Sequence, residues 1–572
     1  MKLNKLFIAG GVLAASMSFS SCVGDLDLTP TNPTDLTQSV FSEDPEGYMR
    51  QVMADIYLNV STFGPNGNNI LASMDGGMST FQRSIFNLEE IPSDEACWLP
   101  ASDAIPWTWQ FGEVTAADRV PLGAWSRMDI NCSLCNQFIQ TDFVGLGAPQ
   151  DLYDEFVRQA KIIRSAMYFY MISEFGNVPY NDENVLIGDI PPQLSTNFAE
   201  GRRMVTEKVV GTLEELVSWY KANDPNNNPP YGYVGLDVAE ALLVKFYLNY
   251  EVFTGSAAWD KCFQHAQSVI ERRGKGGWNN TGLAQNYFQN FCPNNTDQNE
   301  IIWRIVSQNA DTHTDAAGNN VGILNWANGG LMLMGFIGAD SQTYYNAGTQ
   351  WACMVAREQL SRVFDWNDLA CSQSDDVRVT WWQTSAQGYP INNPDLLFAN
   401  YGNNGYIPVK FVNWYVHNDG SISSNVNGYA PENAPVPVVE DGLSPNPIDP
   451  TCIDYGMIRL AEIYLSAAEA ALQGGGDAAT ALRYVNYIRE RAGNEPYTTI
   501  NLTELQKERQ RELYTECNRR TDLIRYGQWI SGYNWSWKYH AKDGANFPAN
   551  MNVYPIPATV VKNGGYTQNP GY

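Results

Sequence analysis

The stretch from Tyr455 to Ala492 constrains the architecture of this chain more than any other. It begins YGMIRLAEIYLSAAEAAL, with Ile458, Ala461, Leu465, Ala468 and Leu472 falling on one face of a helix. Three glycines at 474–476 interrupt it, and Ala479, Leu482, Val485, Ile488 and Ala492 then line a second helix. Two apolar stripes joined by so short a link can only fold back on each other. The alanines let the two helices approach closely, because small side chains leave little ridge between the backbones.

The same pattern recurs elsewhere. Residues 44–61 carry Tyr48, Val52, Ile56 and Val60 at four-residue spacing. Residues 151–180 carry Leu152, Phe156, Ala160, Ile163, Met167 and Tyr170, with Gly176 and Pro179 as stop signals. Residues 237–253 form another helix, TGSAAW turns the chain, and the next helix starts near Asp260. Asn501 with Glu504 offers an N-cap for a helix to about Glu516. Between these pairs lie long irregular segments (64–123, 273–345, 372–450, 530–572), rich in Asn, Gly, Pro and aromatics and expected to be functional loops. The expected fold is mainly α: a curved stack forming a tetratricopeptide-like helical-hairpin scaffold, with a large irregular loop-rich lobe.

Composition narrows the function. Acidic residues number 62 against 36 basic ones, a net charge of −26, which argues against nucleic acid and anionic surfaces as partners. With 17 Trp, 31 Tyr and 23 Phe, the chain has aromatic surface to spare for something flat and uncharged. Lys2 and Lys5 precede an apolar run from Leu6 to Ala15, the order of a secretory signal and too short a run to span a membrane comfortably. FSSC (19–22) resembles a bacterial lipobox, so residues 1–21 are expected to be a signal peptide, Cys22 a lipidated residue and 22–41 a tether. Residues 42–572 form the folded part. CSLC (132–135) has no partners that would make it a metal or redox site and is expected to be a pair of buried thiols.

RQAKIIRSAMYFYMISEFGNVPY (158–180), IRLAEIYLSAAEA (458–470), RELYTECNRRTDLIRYGQW (511–529) and NVYPIPATVVKNGGYTQNPGY (552–572) together form a specific set. Through them the chain resembles the RagB/SusD family of outer-membrane lipoproteins over nearly its whole length. The resemblance implies a cell-surface, non-catalytic glycan receptor, anchored in the outer membrane by lipid, that delivers oligosaccharide to a TonB-dependent transporter barrel. Over 74–103 the sequence is similar to the family's starch-binding founder. That similarity places Asp75, Arg83 and Trp98 on α-glucan-contacting positions, with Asp103 where the founder has asparagine. Trp351, in NAGTQWACMVA, matches a second sugar-stacking tryptophan, and Trp326 stands for a third aromatic if its loop is shifted.

The chemistry agrees. A tryptophan ring lies against the C–H face of a pyranose, while carboxylate and guanidinium groups take its hydroxyls. No cofactor is required, although the resemblance raises a calcium site shared by Asp297 and Asp454. Trp107 and Trp109 are expected to pack. Asp94 and Glu95 would point to opposite sides of an extended segment, and Arg509–Arg511 with Arg519–Arg520 would form a solvated or salt-bridged helix face. A surface glycoside hydrolase and a receptor for a different glycan or a peptide are the competing functions.

Overall fold

The computed structural model describes residues 43–62, 80–100, 104–307, 332, 335, 353–364, 376–382, 405–423, 437–439 and 453–572. The chain divides into two compact units. One runs to Ala54 and takes in Thr141–Phe156, and the other holds Asp55–Gln140 and Val157–Tyr572. In the first, Tyr48 of helix α1 (Pro45–Ser61) meets the Phe143 ring at 5.4 Å, and Phe143 meets Tyr153 at 6.3 Å.

The second unit is a stack of helices. After α2 (Phe81–Glu89), strand β1 (Ala96–Trp98), α3 (Ala104–Trp109) and α4 (Arg119–Gln140), the long α5 (Gln150–Phe175) ends at Gly176, whose φ of 71° needs glycine. Helix α6 (Phe198–Asn223) packs on α7 (Leu236–Leu248), and α7 on α9 (Trp259–Arg273), with the short α8 (Tyr250–Thr254) between them in sequence. Two further helices, α10 (Glu358–Arg362) and α11 (Leu460–Ala470), follow. Helix α9 packs on α11, and α11 on both α12 (Ala478–Arg491) and α13 (Leu502–Leu513). Ala461, Leu465 and Ala468 of α11 are buried with Ala266 and Val269 of α9 and Leu242 and Leu243 of α7. The glycines between α11 and α12 are needed: Gly474 has φ 101°, and a Cβ on Gly475 would strike the Trp259 carbonyl.

Two expected boundaries move. Tyr455–Arg459 is a strand rather than the start of a helix. It follows β4 (Ile422–Ser423) and β5 (Val438–Val439) in the chain as β6, and runs antiparallel to β2 (Ile301–Ile305). A short buried apolar run has no periodicity that separates strand from helix, and here the partner strand decides. The helix expected over 237–253 breaks at Asn249. Its side-chain amide donates to the Lys245 carbonyl at 2.9 Å, and its oxygen accepts from Arg525 at 3.0 Å. The segment 64–123, expected as loop, contains α2, α3 and the start of α4.

The arginine runs are buried. Arg509, Arg511, Arg519 and Arg520 all lie inside, so of the solvated or salt-bridged face expected the salt-bridged alternative holds, in the interior and not on the surface. Arg459, at the end of β6, donates to Glu516 (2.6 Å from Nε and 2.6 Å from Nη2), to Glu300 (2.5 Å) and to Glu512 (3.1 Å). Arg491 from α12 joins Glu300 and Glu512, and Arg378 joins Asp376, Glu508 and Glu512. Burial disfavours the Glu512 carboxylate, yet Arg491, Arg459 and Arg378 around it hold its pKa down at about 2. The motif RELYTECNRR is therefore the bolt between α12, α13 and the β2–β6 ladder.

Candidate functional site

Trp98 closes β1, whose one edge pairs antiparallel with β3 (Met354–Ala356), Trp98 opposite Met354. The other edge at Trp98 is completed by a side chain. Gln110 Oε1 accepts from Trp98 N at 3.0 Å, and Gln110 Nε2 donates to the Trp98 carbonyl at 2.9 Å. One amide thus does what a neighbouring strand would do. The ladder fastens the segment of Trp98 to the residues just after Trp351 in the chain.

The acidic, proline-broken stretch before Trp98 is a clasp. Glu89 accepts from Thr521 N at 2.8 Å, Glu90 from Asn518 N at 3.1 Å, and Glu95 from Thr515 N at 2.9 Å. Asp94 takes Arg519 side-on at 2.6 and 2.8 Å, together with the Tyr533 hydroxyl at 2.7 Å. Asp94 and Glu95 do not point to opposite sides as expected: the backbone bends here, and both carboxylates face the segment 515–519. That segment needs the clasp, since Thr515 and Cys517 both hold φ of 61°, a region unfavourable for side chains with a Cβ. It also explains why α13 stops at Leu513 instead of reaching Glu516.

Burial, with Glu95 and Glu89 beside it, pushes the Glu90 carboxyl well above its ordinary range. Burial likewise raises Glu95 to about 7, against the pull of Arg519. Glu90 Oε2 is buried without a hydrogen-bond partner, and the interaction between the two carboxyls raises Glu90 and lowers Glu95, so Glu90 is the side of the pair that favours the proton. A carboxyl whose pKa is raised on folding binds protons more tightly in the native state. Its stabilisation is complete below the unfolded value of 4.5 and is lost as pH rises toward about 7 and beyond. Glu512, held low, loses its contribution in the opposite direction, as pH falls from 4.5 toward about 2. Urea unfolding is therefore expected to show greatest stability near pH ~5. Glu90→Gln should remove much of the loss toward pH ~8, because an amide N–H can hold Glu95 without titrating. An unchanged pH slope in that variant would contradict the shared proton.

Around the tryptophan itself, Arg83 from α2 stands over the Trp98 ring with its guanidinium carbon 5.0 Å from the centroid. Arg83 Nε donates to Asn87 Oδ1 at 2.7 Å, and the Asn87 carbonyl accepts from Trp109 Nε1 at 2.7 Å. Trp109 packs as expected, while Trp107 is half-buried against Phe111. The Trp98 ring is 6% exposed, so it is covered in this structure, and its indole N–H is buried without a hydrogen-bond partner. Asp75, Asp103, Trp326, Trp351 and Cys22 lie outside the described residues. Arg83 and Trp98 are the two sugar-site candidates brought together among the described ones.

The calcium expectation meets a guanidinium. Arg304 Nη1 donates to the Asn295 carbonyl (3.1 Å), the Thr296 carbonyl (2.8 Å) and Asp454 Oδ2 (3.0 Å), and Nη2 donates to the Gln298 carbonyl (3.2 Å). Asp454 also accepts from Tyr231 and, at 2.9 Å, from Ser307 N, whereas Asp297 is exposed. Of the two carboxylates expected to share an ion, Asp454 is therefore already held by Arg304. Among the described residues no three His, Cys, Asp or Glu converge as ligands. Millimolar calcium or chelator is expected to move Tm by less than about 1 °C, since a ligand stabilises only where it gains differential binding. A saturable rise in Tm would show that the ion displaces Arg304.

Cys132 and Cys135 are buried free thiols, as expected; burial raises both, Cys135 to about 12. Among the described residues, no helix is long and apolar enough to cross a membrane.

Comparison with known proteins places this geometry. The sequence model of the SusD family matches residues 448–572, which hold the bolt and the clasped segment 515–521. The starch-binding protein SusD of Bacteroides thetaiotaomicron is 24% identical, over 100% of this chain and 99% of that one. The surface glycan-binding protein A of Bacteroides fluxus superposes with a TM-score of 0.64 at 16% identity, covering 92% of this chain and 99% of its own. That of Bacteroides thetaiotaomicron, solved in complex with laminarihexaose, gives 0.63 at 17% identity, with the same coverage. Over residues 448–572 the chain matches the SusD family, and it is similar to a SusD protein end to end in sequence and to SusD-like structures over nine-tenths of its length in fold.

Proposed function

We propose that this protein is a non-catalytic glycan receptor of the cell surface, lipidated at Cys22, that captures a neutral glucan and passes it to a TonB-dependent transporter barrel. The observation that carries the reading is the Arg83–Trp98 pair, with a buried indole N–H that has no acceptor. An unmet buried donor costs about 1–3 kcal/mol, and a sugar hydroxyl would remove that cost. Binding then requires the covered ring to open a face to the sugar. Starch or malto-oligosaccharide is the first choice, on the whole-chain similarity to a starch-binding protein. Laminarin-type glucans are the second, because structural relatives carry laminarihexaose or are named for laminarin binding.

The test is affinity electrophoresis of the chain after Cys22 in gels holding amylopectin, laminarin, pullulan, dextran or xylan. Retardation by amylopectin supports the starch reading, and retardation by laminarin alone transfers it to the second glucan. No retardation by any of them overturns glucan capture. Release of reducing sugar from a bound glucan would overturn the non-catalytic role.

A further inference from the structure

A second polar pocket lies between α10, α13, the start of α14 (Arg519–Arg525) and the segment 528–534, with a volume of about 370 Å³. Trp98 and Arg83 are not among its walls. Its lining has the opposite charge to the rest of the molecule. Arg362, Lys507, Arg511 and Arg519 face it, amides such as Gln506 and Gln528 fill much of the remainder, and among the described residues no acidic side chain lines it. Each of the four is paired with a carboxylate that stands outside the lining: Glu358, Glu504, Glu508 and Asp94.

The charges differ in how firmly they are held. Lys507 pairs with Glu504 and Arg362 with Glu358, both within one turn of helix and with each cation exposed. Such exposed pairs hold their partners weakly and give way readily to a better-placed anion. Arg519 is 5% exposed and is locked side-on by Asp94 through Nε and Nη2. That leaves its end-on edge, where Nη1 is buried without a hydrogen-bond partner. Two parallel N–H groups on a fixed plane match a carboxylate. The amides around them match hydroxyls, each offering both donor and acceptor. The volume suits one or two sugar rings.

We propose that this pocket is a separate subsite for an acidic sugar, taking the carboxylate of a hexuronate on Arg519 with support from Lys507 and Arg362. The hydroxyls lie on the glutamine amides. The inference does not rest on glucan binding at Trp98.

The experiment titrates the chain after Cys22 with glucuronate, galacturonate, glucose and acetate, followed by calorimetry and by ligand NMR. The double variant Arg362→Gln/Lys507→Gln, whose changes are at exposed positions, runs alongside. At least one uronate should bind, acetate and glucose should bind at least about tenfold more weakly, and the double variant should lose about tenfold in uronate affinity. Three outcomes would each overturn the proposal: no uronate binding, binding unchanged in the double variant, or acetate binding as tightly as the uronates. Amylopectin and laminarin retardation, measured on the same variant, reports the Trp98 site independently.

Discussion

Arg459→Met is expected to destabilise the protein by about 3–5 kcal/mol, a large fraction of the ~5–15 kcal/mol stability of an ordinary domain. The methionine fills similar volume, so packing is not the main loss. The loss is charge compensation, because Glu300, Glu512 and Glu516 would remain buried with fewer partners. Breaking one side of such a network costs more than never having built it. Urea denaturation measures the change. Adding Glu516→Gln to Arg459→Met should recover part of it, since an uncharged amide no longer needs the guanidinium. If Arg459→Met unfolds at the wild-type urea concentration, the network does not hold the helices together.

Asp94→Ala is the second large effect, also expected at about 3–5 kcal/mol. Among the described residues Arg519 would lose its one close carboxylate partner, with Glu95 next at 3.9 Å, and the Tyr533 hydroxyl would lose an acceptor. The consequence reaches function, because Asp94 and Glu95 hold the chain just before Trp98. Glycan affinity should fall even in the folded fraction, by about tenfold if Trp98 is displaced by an ångström or so. Asp94→Asn keeps the shape but not the charge and should retain more of both. Wild-type glycan affinity in folded Asp94→Ala would show that the clasp stabilises the fold without positioning the site.

Much of the scaffold was legible in the sequence because its helices carry clean apolar stripes. Helices α5, α9, α12 and α13 begin within a few residues of where the periodicity puts them. Helix α4 was not legible: Arg127, Asn131 and Asn136 interrupt its buried face, and each makes tertiary contacts inside that a local pattern cannot show. The same limit governs the charges. A run such as NRR looks solvated until its partners are known, and those partners are remote: Thr515 and Glu95 are 420 residues apart in the chain. For the site, the juxtaposition of Arg83 with Trp98 was legible through family resemblance, whereas the covering of Trp98 was not. Arg304 was visible only as one more charged residue in a strand, because three of its acceptors are backbone carbonyls and the fourth, Asp454, is 150 residues away in the chain.

The central claim is that Trp98 binds glycan, and calorimetric titration with maltohexaose and laminarihexaose tests it most directly. Wild type, Trp98→Phe and Trp98→Ala are compared, with the unfolding transition of each recorded. The wild type should bind at least one of the two in the micromolar to millimolar range. Trp98→Phe should bind more weakly, and Trp98→Ala should lose at least about tenfold in affinity while retaining a cooperative unfolding transition. Equal affinity in wild type and Trp98→Ala would contradict the claim and leave Trp98 as a core residue.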